Sequence, residues 1–324
     1  MAAFGKAALS NPAEKNLIIE VAAAILLRSD NTFLLAQRPL DKIMGGYWEF
    51  PGGKIEKDEV PYHALEREVG EELGVTIVTA YPWITRIFTY SHATVRLYFF
   101  RVTAWTGMLH PHEGQKFSWQ CIREVKAAPV LPANALILRA LELPPLYGIS
   151  NVAELGEHDF ICRLETSLKK GLRLVQLREK NYTYEALRGL AIKILPLVRQ
   201  YGARLIINRD IALAREVGAD GVQLSGEQLS ELNKRPDVDW CGASCHNAAE
   251  LRRAEELGCD FAVMSPVLAT KSHPRAAYLG WKRFADNTSG TSIPVYALGG
   301  LTHGDIEIAW EHGAHGIALL RQAW

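Results

Sequence analysis

Two patterns of apolar and polar positions divide the chain. Between residues 18 and 122 apolar runs and alternations fit strands at Ile18–Leu27, Thr32–Gln37, Thr94–Trp105 and Lys116–Ile122, with an acidic helical segment at 61–73. This predicts a mixed α+β domain with one prominent helix. From residue 146 the pattern changes to short apolar runs separated by helical segments: Leu146–Ser150, Leu174–Arg178, Arg204–Asn208, Gly221–Leu224, Trp240–Ser244, Phe261–Ser265, Pro294–Leu298 and Gly316–Leu320. Eight strands alternating with helices predict a compact α/β (β/α)8 TIM barrel, and the alternative is a doubly wound open sheet. The adjacent prolines Pro144 and Pro145 forbid regular helix between the two patterns, so the reading is a first domain at 17–142, a linker at 143–147 and a second domain at 148–324. The first 15 residues show no periodicity and are expected to be a flexible leader.

Composition narrows the functional classes. The 324 residues are 48% hydrophobic and 22% charged, as in ordinary globular proteins, and 36 Lys+Arg balance 36 Asp+Glu. No overall positive field exists to attract nucleic acid or an anionic membrane, so neither is an expected partner. Apolar stretches fall short of the roughly 18–20 residues that span a bilayer, and the N-terminus lacks the regions of a signal peptide, so a cytoplasmic protein is expected. Five cysteines (121, 162, 241, 245 and 259) without a CxxC pair suggest buried thiols, not disulfides or structural zinc.

The acidic segment carries the most chemistry. Glu68, Glu71 and Glu72 stand at i, i+3 and i+4, which puts three carboxylates on one helix face, while Leu65, Val69 and Leu73 fall on another. A hard divalent cation satisfies such a face, and Mg²⁺ in particular combines a few carboxylates with waters and substrate phosphates. Gly52 and Gly53 after Pro51 allow a tight turn into the helix and leave a carbonyl free for the metal, and Arg67 is placed to pair with Glu59. A solvated acidic face is the competing reading of three glutamates taken alone.

The full pattern from Gly53 to Val75, Gx5Ex7REUxEExGU with U apolar, resembles the Nudix box of the Nudix hydrolases. Around it, Ala36-Gln37-Arg38-Pro39, Gly45 to Pro51, His112-Glu113-Gly114-Gln115 and Leu131-Pro132-Ala133-Asn134 resemble the MutT-type branch, which sanitises oxidised guanine nucleotides. The resemblance covers residues 17–142 and implies an α+β Nudix fold, a mixed sheet with helices. It also implies Glu68, Glu71, Glu72 and Glu113 as catalytic metal ligands, joined by the Gly53 carbonyl, with Arg38 near the phosphates and Asn134 reading the base. The implied reaction is hydrolysis of a nucleoside triphosphate such as 8-oxo-dGTP to the monophosphate and pyrophosphate, with Mg²⁺ or Mn²⁺. For Asn134 a cap or turn role after Pro132 stays open; Trp48 and Phe50 line the pocket or fill the core.

In the second domain Gln176, Arg178 and Lys180 end the second predicted strand, where barrel enzymes present active-site residues, and Gly299-Gly300 follow the seventh, where phosphate sites form from backbone amides. Ordinary turn chemistry for the glycines and pairing with Glu179 for Arg178 and Lys180 are the alternatives. Together Val175–Lys180, Leu205–Asn208, Ala219–Leu224, Gly242–Asn247, Ser265–Lys271 and Ala297–Gly300 resemble thiamine-phosphate synthase and its relative, the TenI thiazole tautomerase. The resemblance implies a phosphorylated thiamine precursor held by Gln176, Arg178, Lys180, Lys271 and the Gly299-Gly300 backbone. The synthase pattern expects Asn-Asp-Arg, then His and Asp; this chain has Asn208-Arg209-Asp210, Gln223 and Gln228, which puts synthase activity in doubt. His246 matches the tautomerase's histidine, or is a helix-start residue without chemistry. The leading expectation is an oxidised-nucleotide hydrolase with an accessory barrel. The alternatives are a thiamine-pathway bifunctional enzyme, whose Nudix part acts on thiamine-related diphosphates, and a barrel that serves only as a phosphate-ligand sensor or scaffold.

Overall fold

The computed structural model describes residues 18–111, 115–270 and 277–324. The expected leader, Glu113 and Lys271 lie outside them.

The N-terminal domain is built on two sheets. The strands are β1 (Ile18–Leu26), β2 (Thr32–Gln37), β3 (Trp48–Glu49), β4 (Gly52–Lys54), β5 (Thr76–Thr89), β6 (Thr94–Thr106) and β7 (Lys116–Cys121), with helix α1 (Pro61–Leu73) between β4 and β5 and α2 (Ala135–Leu141) at the end. One sheet runs β4-β1-β6-β5 and the other β3-β2-β7. The first sheet is mixed, because β1 pairs parallel with β6 and antiparallel with β4. Helix α1 starts with Pro61 in its first turn and stops at Gly74, whose left-handed conformation (φ 67°) returns its N–H to the Gly70 carbonyl. Its apolar stripe, Ala64, Leu65, Val69 and Leu73, is fully buried and packs with Ala22, Ala24 and Leu34. On the other side Phe50 packs against Phe33 and Phe99, so Phe50 fills core.

The C-terminal domain is a closed barrel of eight parallel strands: β8 (Leu146–Ile149), β9 (Leu174–Leu177), β10 (Arg204–Asn208), β11 (Gly221–Leu224), β12 (Trp240–Cys245), β13 (Phe261–Met264), β14 (Val295–Leu298) and β15 (Gly316–Leu319). The barrel closes through β15 and β8, which rules out the open sheet. Tyr147, Trp240, Phe261 and Tyr296 pack within one buried cluster with Leu174, Ile206 and Ala318. Two further clusters form where strands meet the surrounding helices.

Several elements escaped the sequence reading. β4 is Gly-Gly-Lys and has no alternation to detect, while β5 contains Pro82 and three register irregularities, features that sheet edges tolerate. The cysteine expectation needs correcting: Cys241, Cys245 and Cys259 are buried, but Cys121 and Cys162 are exposed. Among the described residues no helix is long and apolar enough to cross a membrane.

Candidate active sites

The first site is assembled where β4 turns into α1. Gly53 lies so close to Glu68 that a Cβ there would stand 2.2 Å from the Glu68 carboxylate carbon, and a Cβ on Gly52 would stand 2.1 Å from the Ala22 carbonyl oxygen. Gly52 also has φ 141°, a conformation side chains rarely adopt. Its N–H donates to Glu72 Oε2 at 3.0 Å, and Gln115 Nε2 donates to Glu72 Oε1 at 3.4 Å. Arg67 braces the turn: it donates to both Glu59 oxygens (3.0 and 2.9 Å), to the Lys54 carbonyl (3.0 Å) and to Glu68 Oε1 (2.8 Å). The expected Arg67–Glu59 pair is therefore present. It serves as the strut between turn and helix.

Glu68 and Glu72 face Gly53 and Gly52, whereas Glu71 points outward, 64% exposed and 3.4 Å from Arg67. Burial pushes Glu72 up to about 7; the Gly52 and Gln115 hydrogen bonds oppose this, and the Glu49 and Glu68 charges add to it. Burial likewise raises Glu49, with Arg38 opposing through contacts of 2.6 and 2.8 Å. Glu49 thus belongs to the acidic group, and only the Trp48-Glu49-Phe50 segment of the resemblance hinted at it. Arg38 is tied to Glu49 and to the Ile43 carbonyl. Among the described residues no three His, Cys, Asp or Glu side chains are already gathered into a metal cage.

Asn134 reaches the same region because β3 pairs with the segment before it: Trp48 N–H donates to the Pro129 carbonyl and Leu131 N–H to the Trp48 carbonyl. Asn134 is 3% exposed, and its side chain makes no cap hydrogen bond to α2. A capping role is therefore removed. Burial raises the Tyr90 phenol, from the β5–β6 turn, with the Ala133 backbone and the Arg38 charge opposing and the Glu49 charge adding to it. Sequence reading missed Tyr90, which lies in an aromatic hairpin tip without a motif.

At the barrel's C-terminal end, Gln176 Nε2 donates to the Tyr147 hydroxyl (2.9 Å), Tyr147 donates to Gln223 Oε1 (3.2 Å) and Gln223 Nε2 to Ser244 Oγ (3.2 Å), a buried neutral chain inside the barrel. Glu179 accepts from Ser150 Oγ and from the Val152 and Ala153 amides, so its hydrogen bonds lie away from Arg178 and Lys180. Burial pushes the Arg178 guanidinium down, with the Glu179 charge opposing, while Lys180 is exposed. Gly299 and Gly300 have φ 112° and 71°, and Cβ atoms there would meet Pro266 at 2.9 Å and the Ala269 carbonyl at 2.5 Å. Their conformation lets the 266–269 segment approach.

The acidic positions of the synthase pattern are differently employed. Arg209, at φ 65°, pairs with Glu227 (2.9 Å). Asp210 caps the following helix by accepting from Leu213 N–H (2.8 Å), and Gln228 forms a capping box with Ser225 and donates to the Arg209 carbonyl. His246 is 56% exposed, and its Nδ1 lies 3.0 Å from Glu250 Oε2.

A closed eight-stranded barrel, preceded by a mixed-sheet domain whose glycine turn is locked onto a glutamate helix, defines a two-part protein. The family model for thiamine monophosphate synthase matches residues 146–323, and a NUDIX domain model matches residues 22–140. The chain belongs to the thiamine monophosphate synthase family through its barrel, and its N-terminal part is a NUDIX domain. A putative thiamine-phosphate synthase 2 of Aquifex aeolicus is 40% identical over 180 residues, 55% of this chain and 96% of that protein. A putative thiamine-phosphate synthase of Geobacter sulfurreducens is 36% identical over 181 residues, 54% of this chain and 84% of that protein. A solved structure from work on the MutT proteins of Aliivibrio salmonicida and Vibrio cholerae is 32% identical, covering 39% of this chain and 97% of that one, with a TM-score of 0.34.

Proposed function

We propose that the Nudix domain hydrolyses oxidised guanine nucleoside triphosphates, 8-oxo-dGTP foremost, to the monophosphate and pyrophosphate with Mg²⁺ or Mn²⁺. The observation that carries this reading is the Gly53 turn seated on Glu68 with the half-buried Glu72 beside it. The donor set fits a hard cation: carboxylates of Glu68 and Glu72, Glu71 on the same helix, and a backbone carbonyl at a residue with no room for a side chain. When bound, the cation neutralises the polyphosphate and activates water. Arg67 fixes the turn against the helix, so the ligand groups are set before substrate arrives. Asn134, buried and free of a cap, offers donor and acceptor to a purine edge, with Tyr90 and the Arg38–Glu49 pair beside it.

For the barrel the supported reading is a weak binder of a phosphorylated thiamine precursor with little synthase turnover. Arg178, Lys180 and the Gly299-Gly300 turn suit a phosphate. The residues do not fit the Mg²⁺-diphosphate of a synthase, because Arg209 brings positive charge, Asp210 is a helix cap and Gln228 a neutral cap. The family of the barrel favours a second reading, in which the Nudix domain acts on thiamine-related diphosphates.

The test is a substrate panel on the full chain: 8-oxo-dGTP, dGTP and thiamine diphosphate, together with thiamine phosphate formation from the pyrimidine diphosphate and thiazole phosphate. The reading expects kcat/KM for 8-oxo-dGTP to exceed that for dGTP by about tenfold or more. It expects no sustained synthase turnover. A highest kcat/KM for thiamine diphosphate supports the second reading, and synthase turnover near ~1 s⁻¹, the lower end of ordinary enzyme rates, overturns the barrel assignment.

A further inference from the structure

Arg101 lies in the middle of β6, pairs with Tyr81 of β5 and is only 6% exposed. A buried cation needs compensation. None comes from its own domain's carboxylates: Nη1 donates to the His315 carbonyl (2.8 Å) and Nη2 to the Ala314 carbonyl (2.7 Å), both in the barrel, while Nε has no acceptor among the described residues. The guanidinium also lies 5.5 Å from the Trp83 ring of the Nudix domain and 5.3 Å from the Trp310 ring of the barrel.

The contacts around it are of the same kind. Thr85 N–H, on the outer side of edge strand β5, donates to the Thr291 carbonyl at 2.9 Å, so a barrel loop satisfies an edge amide. Tyr81 hydroxyl donates to Glu307 (3.0 Å), and Trp83 packs on the His315 ring. Arg139 of α2 lies 3.5 Å over the Trp240 ring and donates to Asp239, while Arg204 of the barrel donates to Glu142 Oε2 at 2.7 Å. His315 Nε2 lies 2.9 Å from the Leu143 carbonyl.

These barrel residues share one address. Arg204 and Trp240 begin β10 and β12, Asp239 precedes β12, and Ala314 and His315 precede β15, all at the N-terminal ends of strands. The candidate ligand residues Arg178, His246, Gly299 and Gly300 follow β9, β12 and β14 at the opposite ends. In the Nudix sheet the order β4-β1-β6-β5 likewise puts the Gly52-Gly53 turn on one edge and the docked strand on the other. Three strand spacings, about 14 Å, separate those edges.

We propose that the N-terminal mouth of the barrel is a docking surface made for the β5 edge of the Nudix sheet, with Arg101 as its central anchor. The Nudix domain forms the floor of the barrel, and the two candidate sites open to solvent on opposite sides of one rigid body. A hinge between the domains is excluded by this arrangement, because bending there would bare the Arg101 charge and the Thr85 amide together.

The test uses the full chain. In the wild-type protein, hydrogen exchange at the Thr85 amide is expected to be slowed by about 10²-fold or more relative to an unprotected peptide, and unfolding to be a single transition. Arg101→Met removes the charge and both donated hydrogen bonds; the expected result is loss of Thr85 protection and separation of unfolding into two transitions. Arg101→Lys, which keeps a charge but not the two-carbonyl fork, is expected to fall between. If Arg101→Met does not fold, the wild-type exchange decides alone. Rapid wild-type exchange at Thr85 while the β5–β6 ladder stays protected overturns the proposal, as does an Arg101→Met protein with wild-type exchange and one transition.

Discussion

At the scale of single residues, the corner of Gly53, Glu68 and Glu72 was legible because the glutamate spacing and the Arg67–Glu59 brace belong to one continuous pattern. Glu49 and Tyr90 were not, since each reaches the site through strand pairing or a hairpin tip that no local spacing encodes. Gly53→Ala tests the closest approach: a Cβ placed 2.2 Å from the Glu68 carboxylate carbon must displace that carboxylate. The expected outcome is a folded protein whose kcat falls by about 10²-fold, comparable to losing a principal transition-state contact. Near-normal turnover would show that Glu68 need not stay where the turn puts it. Asn134→Ala is expected to reduce the preference for 8-oxo-dGTP over dGTP by about ten- to a hundredfold, the cost of an unpaired buried base edge, and equal losses for both nucleotides would point to a packing role. His315 gives a pH signature, because burial and then the Arg101 charge push its imidazole down to about 3. The unfolded chain binds a proton below its ordinary value of 6.5 while the folded chain does not. Stability is therefore full above that value and is lost as pH falls toward 3. The loss is expected to reach about 2 kcal/mol at pH 5. Denaturant unfolding of wild type and His315→Gln at pH 7 and pH 5 checks this; an equal acid loss in both contradicts it.

At the scale of elements, the eight barrel strands were readable because each is a short apolar run bounded by helical segments, and seven of the eight strand pairings join strands adjacent in sequence. Helix α1 was equally plain from its buried stripe. What failed were elements whose reasons are tertiary. β4 is a strand because Ala22 and Ala23 of β1 pair with Gly53 and Gly52, and β5 tolerates Pro82 because it is an edge covered by the barrel. Gly300 belongs to this scale too, since its left-handed φ of 71° and the 2.5 Å approach to Ala269 fix the 266–269 segment. Gly300→Ala is expected to cost about 1–3 kcal/mol of barrel stability. A midpoint of chemical unfolding equal to wild type would remove the glycine's structural role.

At the scale of the whole molecule, a Nudix domain and a synthase-family barrel share one chain, and the Nudix domain covers the end of the barrel opposite Arg178, His246, Gly299 and Gly300. The sequence announced both parts but not their docking, because Arg101 reads as an ordinary polar position in a strand until the Ala314 and His315 carbonyls are beside it. In the proposed function the Gly53–Glu68–Glu72 corner hydrolyses a nucleoside triphosphate with a divalent cation. The most direct measurement is product analysis with 8-oxo-dGTP and Mg²⁺, for wild type and Glu72→Gln of the full chain. The expected products are 8-oxo-dGMP and pyrophosphate in equal amounts, with turnover reduced by about 10²-fold or more in Glu72→Gln at saturating metal. Release of orthophosphate and a diphosphate, or near-normal turnover by Glu72→Gln, would contradict it.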